Sequence, residues 1–299
     1  MTNGVEWTDA FLEYLRSERN YSGRTIESYA SDLKDFSEFL ESAGREVNFT
    51  EVSSMDVREW VVYLMDEKQY AVANVNRKLS ALRSFYRYLR MMGWVSVNPL
   101  SKITGPKKAK RLPTFVREKD MDRLLEVTEG DDSYKGVLAR LVIMMFYETG
   151  IRRAELLSLD DGRVDLSMRQ IKVLGKRNKE RIIPFGDELD NEIRKYLVLR
   201  REVVGGHPDT FFVNEHGRPL NEVSVTKIVK DGLSLVTTQK KRSPHVLRHS
   251  FATAMLNNEA DLGSIQKLLG HQSLATTEVY THLSFEELKN AYKNAHPRT

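Results

Sequence analysis

The stretch from Gly136 to Thr149 constrains the fold most. It carries Val137, Leu138, Leu141, Val142, Met144, Met145 and Phe146, apolar at helical spacing on nearly every side. A helix without a polar face has to be surrounded, which predicts the centre of a domain of packed elements. Gly150 closes it, because glycine accepts the left-handed backbone of a helix stop without steric cost. Arg152 and Arg153 follow at once and open a short helix through Glu155, Leu156 and Leu159. A charge placed directly after a buried helix is costly unless it is paired or put to use.

The first hundred residues are a different kind of sequence. Four amphipathic helices are expected there: residues 8–19, a second from Ser22 or Gly23 to Gly44, a third after Ser53-Ser54, and a fourth over residues 74–92. Ile26, Tyr29, Leu33, Phe36 and Leu40 step by three and four along the second, and Leu79, Leu82, Phe85, Tyr86 and Leu89 along the fourth. Such stripes with short joints predict a small all-helical domain. The fourth helix also carries Arg77, Lys78, Arg83, Arg87 and Arg90 with no acid among them. A basic row of this kind is expected to meet a phosphate backbone.

Asn98-Pro99 breaks the helical pattern. Residues 102–113 then hold Gly105, two prolines and five cations, among them Lys107, Lys108, Lys110 and Arg111, without one acid. Expected domains are therefore residues 1–101, helical and DNA-binding, a basic linker at 102–113, and a second domain at 114–299. The linker suits a solubilising joint or a charged strap across DNA.

In the second part, helices are expected at residues 118–127, 187–204, 221–231, 244–257 and 262–269, with a tail helix at 285–293. Strands are expected at 170–174, 181–184 and 210–213, the first two joined by the basic hairpin Gly175-Lys176-Arg177-Asn178-Lys179-Glu180. The fold class is mainly α with a small β-hairpin in the second domain.

Composition removes several function classes. The chain has 299 residues, 40% hydrophobic and 29% charged, the profile of a soluble globular protein. No apolar run reaches membrane length and no signal-peptide pattern opens the chain. Without cysteine, disulfides and thiolate metal sites are excluded, and a reducing cytoplasm fits. Net charge is only +4, but residues 1–100 hold 12 Lys or Arg against 15 Asp or Glu, and residues 101–299 hold 34 against 27. The basic surplus lies in the second part.

The candidate chemistry is there as well: Arg152, Lys176, His245, Arg248, His271 and Tyr280. Pro244 suits a first helical position with Ser243 as its cap, and His245 and Arg248 then share one face. Two arginines can fork onto phosphate oxygens. A phenol whose proton is taken by a base is a nucleophile, a lysine on a hairpin can protonate a departing alkoxide, and imidazoles can bond phosphate or move protons. The set needs no metal and no cofactor. His245 and His249 at a four-residue step lack a third ligand for zinc.

Taken in order, Thr149-Gly150-Ile151-Arg152 with Glu155-Leu156, Gly175-Lys176, Pro244-His245-Val246-Leu247-Arg248-His249, Leu268-Leu269-Gly270-His271 and Val279-Tyr280 resemble the tyrosine recombinase (phage integrase) superfamily, most closely its Xer-type members. The resemblance implies a C-shaped two-domain clamp on double-stranded DNA, with a helical core-binding domain before the catalytic one. It implies that Arg152 and Arg248 hold the scissile phosphate and that Tyr280 attacks it to form a 3′-phosphotyrosyl link. Lys176 would protonate the 5′ oxygen, His245 would assist the tyrosine proton, and His271 would bond a phosphate oxygen. DNA contacts are expected from Arg77, Lys78, Arg83, Arg87, Lys107, Lys108, Lys110, Arg111 and Arg177. Strand exchange would pass through a Holliday junction in a homotetramer or heterotetramer, and some relatives are switched on by a DNA translocase. Chromosome dimer resolution is the expected role. The alternatives are an integrase or invertase of a mobile element or promoter switch, a type IB topoisomerase, a metal-dependent hydrolase, and a DNA-binding protein without chemistry. Two positions depart from the pattern. Arg153 stands beside Arg152, with Glu155-Leu156 setting the register on Arg152, and Arg177 replaces a common glycine, which makes Lys179 a competitor for the proton-donor role. The tail stripe of Phe285, Leu288 and Tyr292 suits docking on a neighbouring protomer or on its own domain.

Overall fold

The structure is a computed structural model that describes residues 3–107, 114–175, 180–206, 208–270 and 291–297. By internal contacts it forms two units, Met1–Arg111 and Leu112–Thr299.

The first unit holds α1 (Asn3–Ser17), α2 (Gly23–Ser42), α3 (Ser54–Val62) and α4 (Val72–Met91). Helix α1 begins five residues before the expected Thr8. Ser22 caps α2, and Ser53 and Asp56 bond reciprocally at the start of α3, satisfying backbone donors that a helix start leaves open. Beyond α3 the chain continues as a wider π-turn, Tyr63–Glu67, which no sequence signal announced. The apolar stripes meet in one core around Phe36, Trp60, Leu79, Phe85 and Tyr86. Phe36 and Trp60 lie edge to face at 4.8 Å, and the Tyr86 hydroxyl donates to the Phe49 carbonyl at 3.0 Å.

Two cations of the basic row on α4, Arg77 and Lys78, have acidic partners, contrary to expectation. Lys78 is buried, 4% exposed, and its ammonium bonds Asp32 at 3.1 Å and also Asp35. Arg77 pairs with the same Asp32 and reaches Ser28. Burial pulls the Lys78 ammonium down, but the bonds from Asp35 and Asp32 outweigh it and hold the group above its ordinary value. Lys78 is thus a core ion pair and is withdrawn as a DNA contact. Arg83 is half-buried and donates to the Ile103 carbonyl at 3.1 Å. Arg87, Arg90 and Lys107 stay exposed.

In the second unit come α5 (Glu118–Glu129), α6 (Tyr134–Thr149), α7 (Arg153–Leu157), β1 (Val164–Asp165), β2 (Gln170–Leu174), β3 (Glu180–Pro184), α8 (Asp187–Val203), α9 (Glu222–Ser234), α10 (Pro244–Asn257) and α11 (Leu262–Leu269). Helix α6 is the hub: α5, α8, α9 and α10 all pack on it, and its residues are buried nearly throughout. Gly150 ends it at φ +58°. A Cβ there would stand 2.6 Å from the Phe251 ring and 2.7 Å from the Leu269 side chain, so glycine lets α10 and α11 close on the end of α6. The antiparallel sheet runs β1-β2-β3, with Ile171 opposite Ile183; β1 was not expected.

Residues 210–213 do not form the expected strand. Val213 makes only an isolated bridge to Pro219. Single backbone bonds, from the Phe211 amide to the Leu159 carbonyl at 2.7 Å and from the Leu220 amide to the Phe212 carbonyl at 3.1 Å, and side chains serve the backbone instead, so no partner strand is needed. Tyr196 donates to the Phe211 carbonyl at 3.0 Å, Arg200 to the same oxygen at 2.9 Å, and Tyr134 to the Val213 carbonyl at 2.9 Å.

The tail ends as a helix over residues 291–295. Tyr292 is 1% exposed and stacks on His296 at 5.1 Å, while Asn258 donates to the Ala295 carbonyl at 3.0 Å. This last turn packs on its own unit; Phe285 and Leu288 lie outside the described residues. No helix among the described residues is long and apolar enough to cross a membrane.

Candidate active site

The C-terminus of α11 organises the site. Asp261 fixes the helix start by accepting from the Gly263 and Ser264 amides at 2.8 and 3.0 Å. Gly270 turns the other end at φ +62°. A helix ending there leaves carbonyls without helical donors and carries partial negative charge. Three arginines meet three consecutive carbonyls. Arg181 Nε donates to Leu268 at 2.7 Å, Arg248 Nη2 to Leu269 at 2.6 Å, and Arg152 Nη2 to Gly270 at 2.6 Å.

Each arginine comes from a different element. Arg152 precedes α7, Arg181 lies on β3, and Arg248 sits on α10, where its other terminal nitrogen donates to the Gly150 carbonyl. Glu155 joins two of them. It accepts from the Arg152 amide at 2.8 Å and from Arg152 Nη1 at 2.7 Å, and it takes the Arg181 fork at 2.7 and 2.8 Å. Burial pushes the Glu155 carboxyl up, but the bonds and charge of Arg181 and the bonds from Arg152 outweigh it, so the net direction is down.

Among the described residues, one carboxylate therefore faces three guanidiniums. Arg248 shows the surplus: burial first, then the charges of Arg152 and Arg181, push it down to about 10, with Glu155 opposing. It remains charged at neutral pH, in a place that would be easier for it with an anion nearby. Carbonyl bonds fix where the cations point without cancelling their charge. The bonds also consume only part of each guanidinium's donor set.

Arg152 keeps a third of its side chain exposed, 33%, whereas Arg248 is 9% exposed. His245 is exposed on the first turn of α10. Arg153 turns away from the cluster to α9, where it pairs with Glu222 at 2.7 Å and reaches Thr226 at 3.2 Å. Of the residues expected from sequence, Lys176, Arg177, His271, Tyr280, Lys108, Lys110 and Arg111 lie outside the described residues, as does Lys179. Among the described residues no group of three or more His, Asp or Glu stands at metal-binding distances.

Arg181 was missed as anything more than the start of a strand. The signal was present: it pairs across the sheet with Val173, which is 2% exposed, so a cation stands on an inward position of the strand. Only the fold shows what it meets there.

Comparison with known proteins places the chain in a family. The profile of the phage integrase family matches residues 114–287, and that of the phage integrase N-terminal SAM-like domain matches residues 8–93. The tyrosine recombinase XerC of Halalkalibacterium halodurans is 40% identical over 98% of both chains, and that of Listeria monocytogenes is 37% identical over 100% of both. Among solved structures, the XerH site-specific recombinase bound to palindromic difH substrate shares the fold. It has TM-score 0.71 and 23% identity over 95% of this chain and 83% of that one. With more than half its length matched by one profile and full-length relatives well above 30% identity, this chain belongs to the phage integrase family, among the tyrosine recombinases.

Proposed function

We propose that this chain is a Xer-type site-specific recombinase that cuts and rejoins double-stranded DNA through a covalent link to Tyr280. The observation that carries the proposal is the convergence of Arg152 and Arg248. They come from separate elements and bond adjacent carbonyls, at Gly270 and Leu269, with a surplus of positive charge. A phosphodiester is the natural ligand for two such guanidiniums, and charge building on its oxygens during displacement strengthens the interaction. The XerC names of the full-length relatives support the same reading.

In this mechanism the Tyr280 oxygen attacks phosphorus, and the bond to the 5′ oxygen breaks. His245 takes the phenol proton, and Lys176 gives one to the departing oxygen. His271, next in sequence after Gly270, bonds a phosphate oxygen. The 5′-hydroxyl of a partner strand reverses the step, so the diester energy stays in the protein–DNA bond and no ATP is consumed. Recombination then requires a tetramer holding two duplexes, homomeric or mixed, acting on the nucleoid in chromosome dimer resolution. A DNA translocase is a fitting activator for such an assembly.

Incubation with a nicked suicide substrate carrying the cognate site tests the proposal. A covalent adduct that disappears in Tyr280→Phe is expected. No adduct on any site the protein binds in cells would leave a DNA-binding protein without chemistry.

A further inference from the structure

We propose that Arg181 is a positioning residue for strand cleavage: its fork on Glu155 and its bond to Leu268 set the phosphate-holding arginine and the end of α11 in one frame. The proposal deepens the recombinase reading and rests on it. Arg181 is placed to couple three parts. Its Nε holds the Leu268 carbonyl at 2.7 Å, two residues before Gly270. Its two terminal nitrogens hold both oxygens of Glu155 at 2.7 and 2.8 Å. The same carboxylate grips the Arg152 amide and side chain. Arg181 also stands on β3, at the return of the hairpin that carries Lys176. A shift of β3 is therefore felt by Arg152 and by the segment entering His271.

Geometry makes this more than an ion pair. The side chains of Arg181 and Glu155 are 13% and 4% exposed, so the pair is largely removed from water. Only a planar fork with a third donor reaches both carboxylate oxygens and a carbonyl at once; a lysine ammonium on the same strand keeps the charge but cannot reproduce the three bonds. Gly270 adds a packing constraint. A Cβ on it would stand 3.2 Å from Arg181 and 3.4 Å from Arg152, so a side chain at this position would crowd both guanidiniums. Among the described residues Arg181 gives all three of its side-chain nitrogens to protein partners, whereas Arg152 and Arg248 give two each, which marks it as a holder of the frame.

Single-turnover adduct formation on the nicked substrate, with binding to the uncut duplex measured alongside, tests this. For Arg181→Gln the adduct should form about a hundredfold more slowly, the loss expected when reacting groups are misplaced by about 1 Å, with duplex affinity unchanged. Arg181→Lys should stay slow, because the charge returns without the fork. In a Glu155→Gln background, adding Arg181→Gln should slow the reaction by less than about threefold further, since the frame is already broken. If Arg181→Gln loses duplex binding through misfolding, Arg181→Lys carries the same rate test. Wild-type rate in either Arg181 variant, full rescue by lysine, or additive losses with Glu155→Gln would each overturn the proposal. An absent adduct in the wild-type protein would overturn the recombinase reading itself, a distinguishable result.

Discussion

Two clusters of cations in this molecule look alike in sequence and differ in what holds them. On α4, Arg77 and Lys78 are held by carboxylates, Asp32 and Asp35, across a helix–helix contact. Around α11, Arg248 is held by carbonyl oxygens alone among the described residues, and Arg152 by one carboxylate and one carbonyl. A carboxylate cancels the charge it binds; a carbonyl only aims it. The first cluster is a bolt between helices, and the second, in the proposed function, is an anion seat. Counting basic residues along a helix cannot separate the two, because the deciding acids on α2 lie 43 to 46 positions away.

The comparison is broken or sharpened first at Arg248. Replacement by Gln should lower single-turnover adduct formation about a thousandfold, ~4 kcal/mol in the transition state, with DNA still bound. A loss under tenfold would put the two clusters in one class. Next, Asp32→Ala strips Lys78 and Arg77 of a shared partner and should destabilise the first unit by about 3 kcal/mol in denaturant unfolding. Adduct formation per folded molecule should stay at the wild-type rate; a selective fall in rate would make this cluster catalytic.

Acid provides a third test. Glu155 has its folded-state pKa lowered, so its contribution to stability is fully present above the unfolded value and is lost as pH falls through the folded one. The stability gap between wild type and Glu155→Gln, followed by unfolding at decreasing pH, should narrow in that window. A gap that widens on acidification would reverse the sign assigned to this carboxylate. The smallest effect concerns the surface of α4. Arg87→Ala and Arg90→Ala should each reduce the salt dependence of duplex binding by about one unit of slope, while Lys78→Met leaves the slope unchanged. Equal slopes for all three would remove the distinction between buried and exposed cations.

Much of this architecture was legible in advance. Helix α6 announced itself by lacking a polar face, Gly150 and Gly270 marked both stops, and Pro244 marked the start of α10. These are local signals, set by backbone sterics and periodicity. What stayed hidden was long-range. The acid partners of Lys78 required the packing of α2 on α4. Residues 210–213 have strand-like composition, yet Tyr134, Tyr196 and Arg200 occupy their backbone. In the site, Glu155-Leu156 favoured Arg152 over Arg153, and Arg152 is the one that lies beside Arg181 on Glu155, while the placement of Arg181 needed the inward face of β3.

The most direct measurement compares a scissile phosphodiester with a neutral methylphosphonate at the same position, in wild type, Arg152→Ala and Arg248→Ala. If these guanidiniums serve to neutralise phosphate charge, each variant's loss in adduct formation should shrink at least about tenfold on the neutral substrate. Equal losses on both substrates would mean that the two arginines never meet the phosphate, and the anion seat at the end of α11 would be refuted.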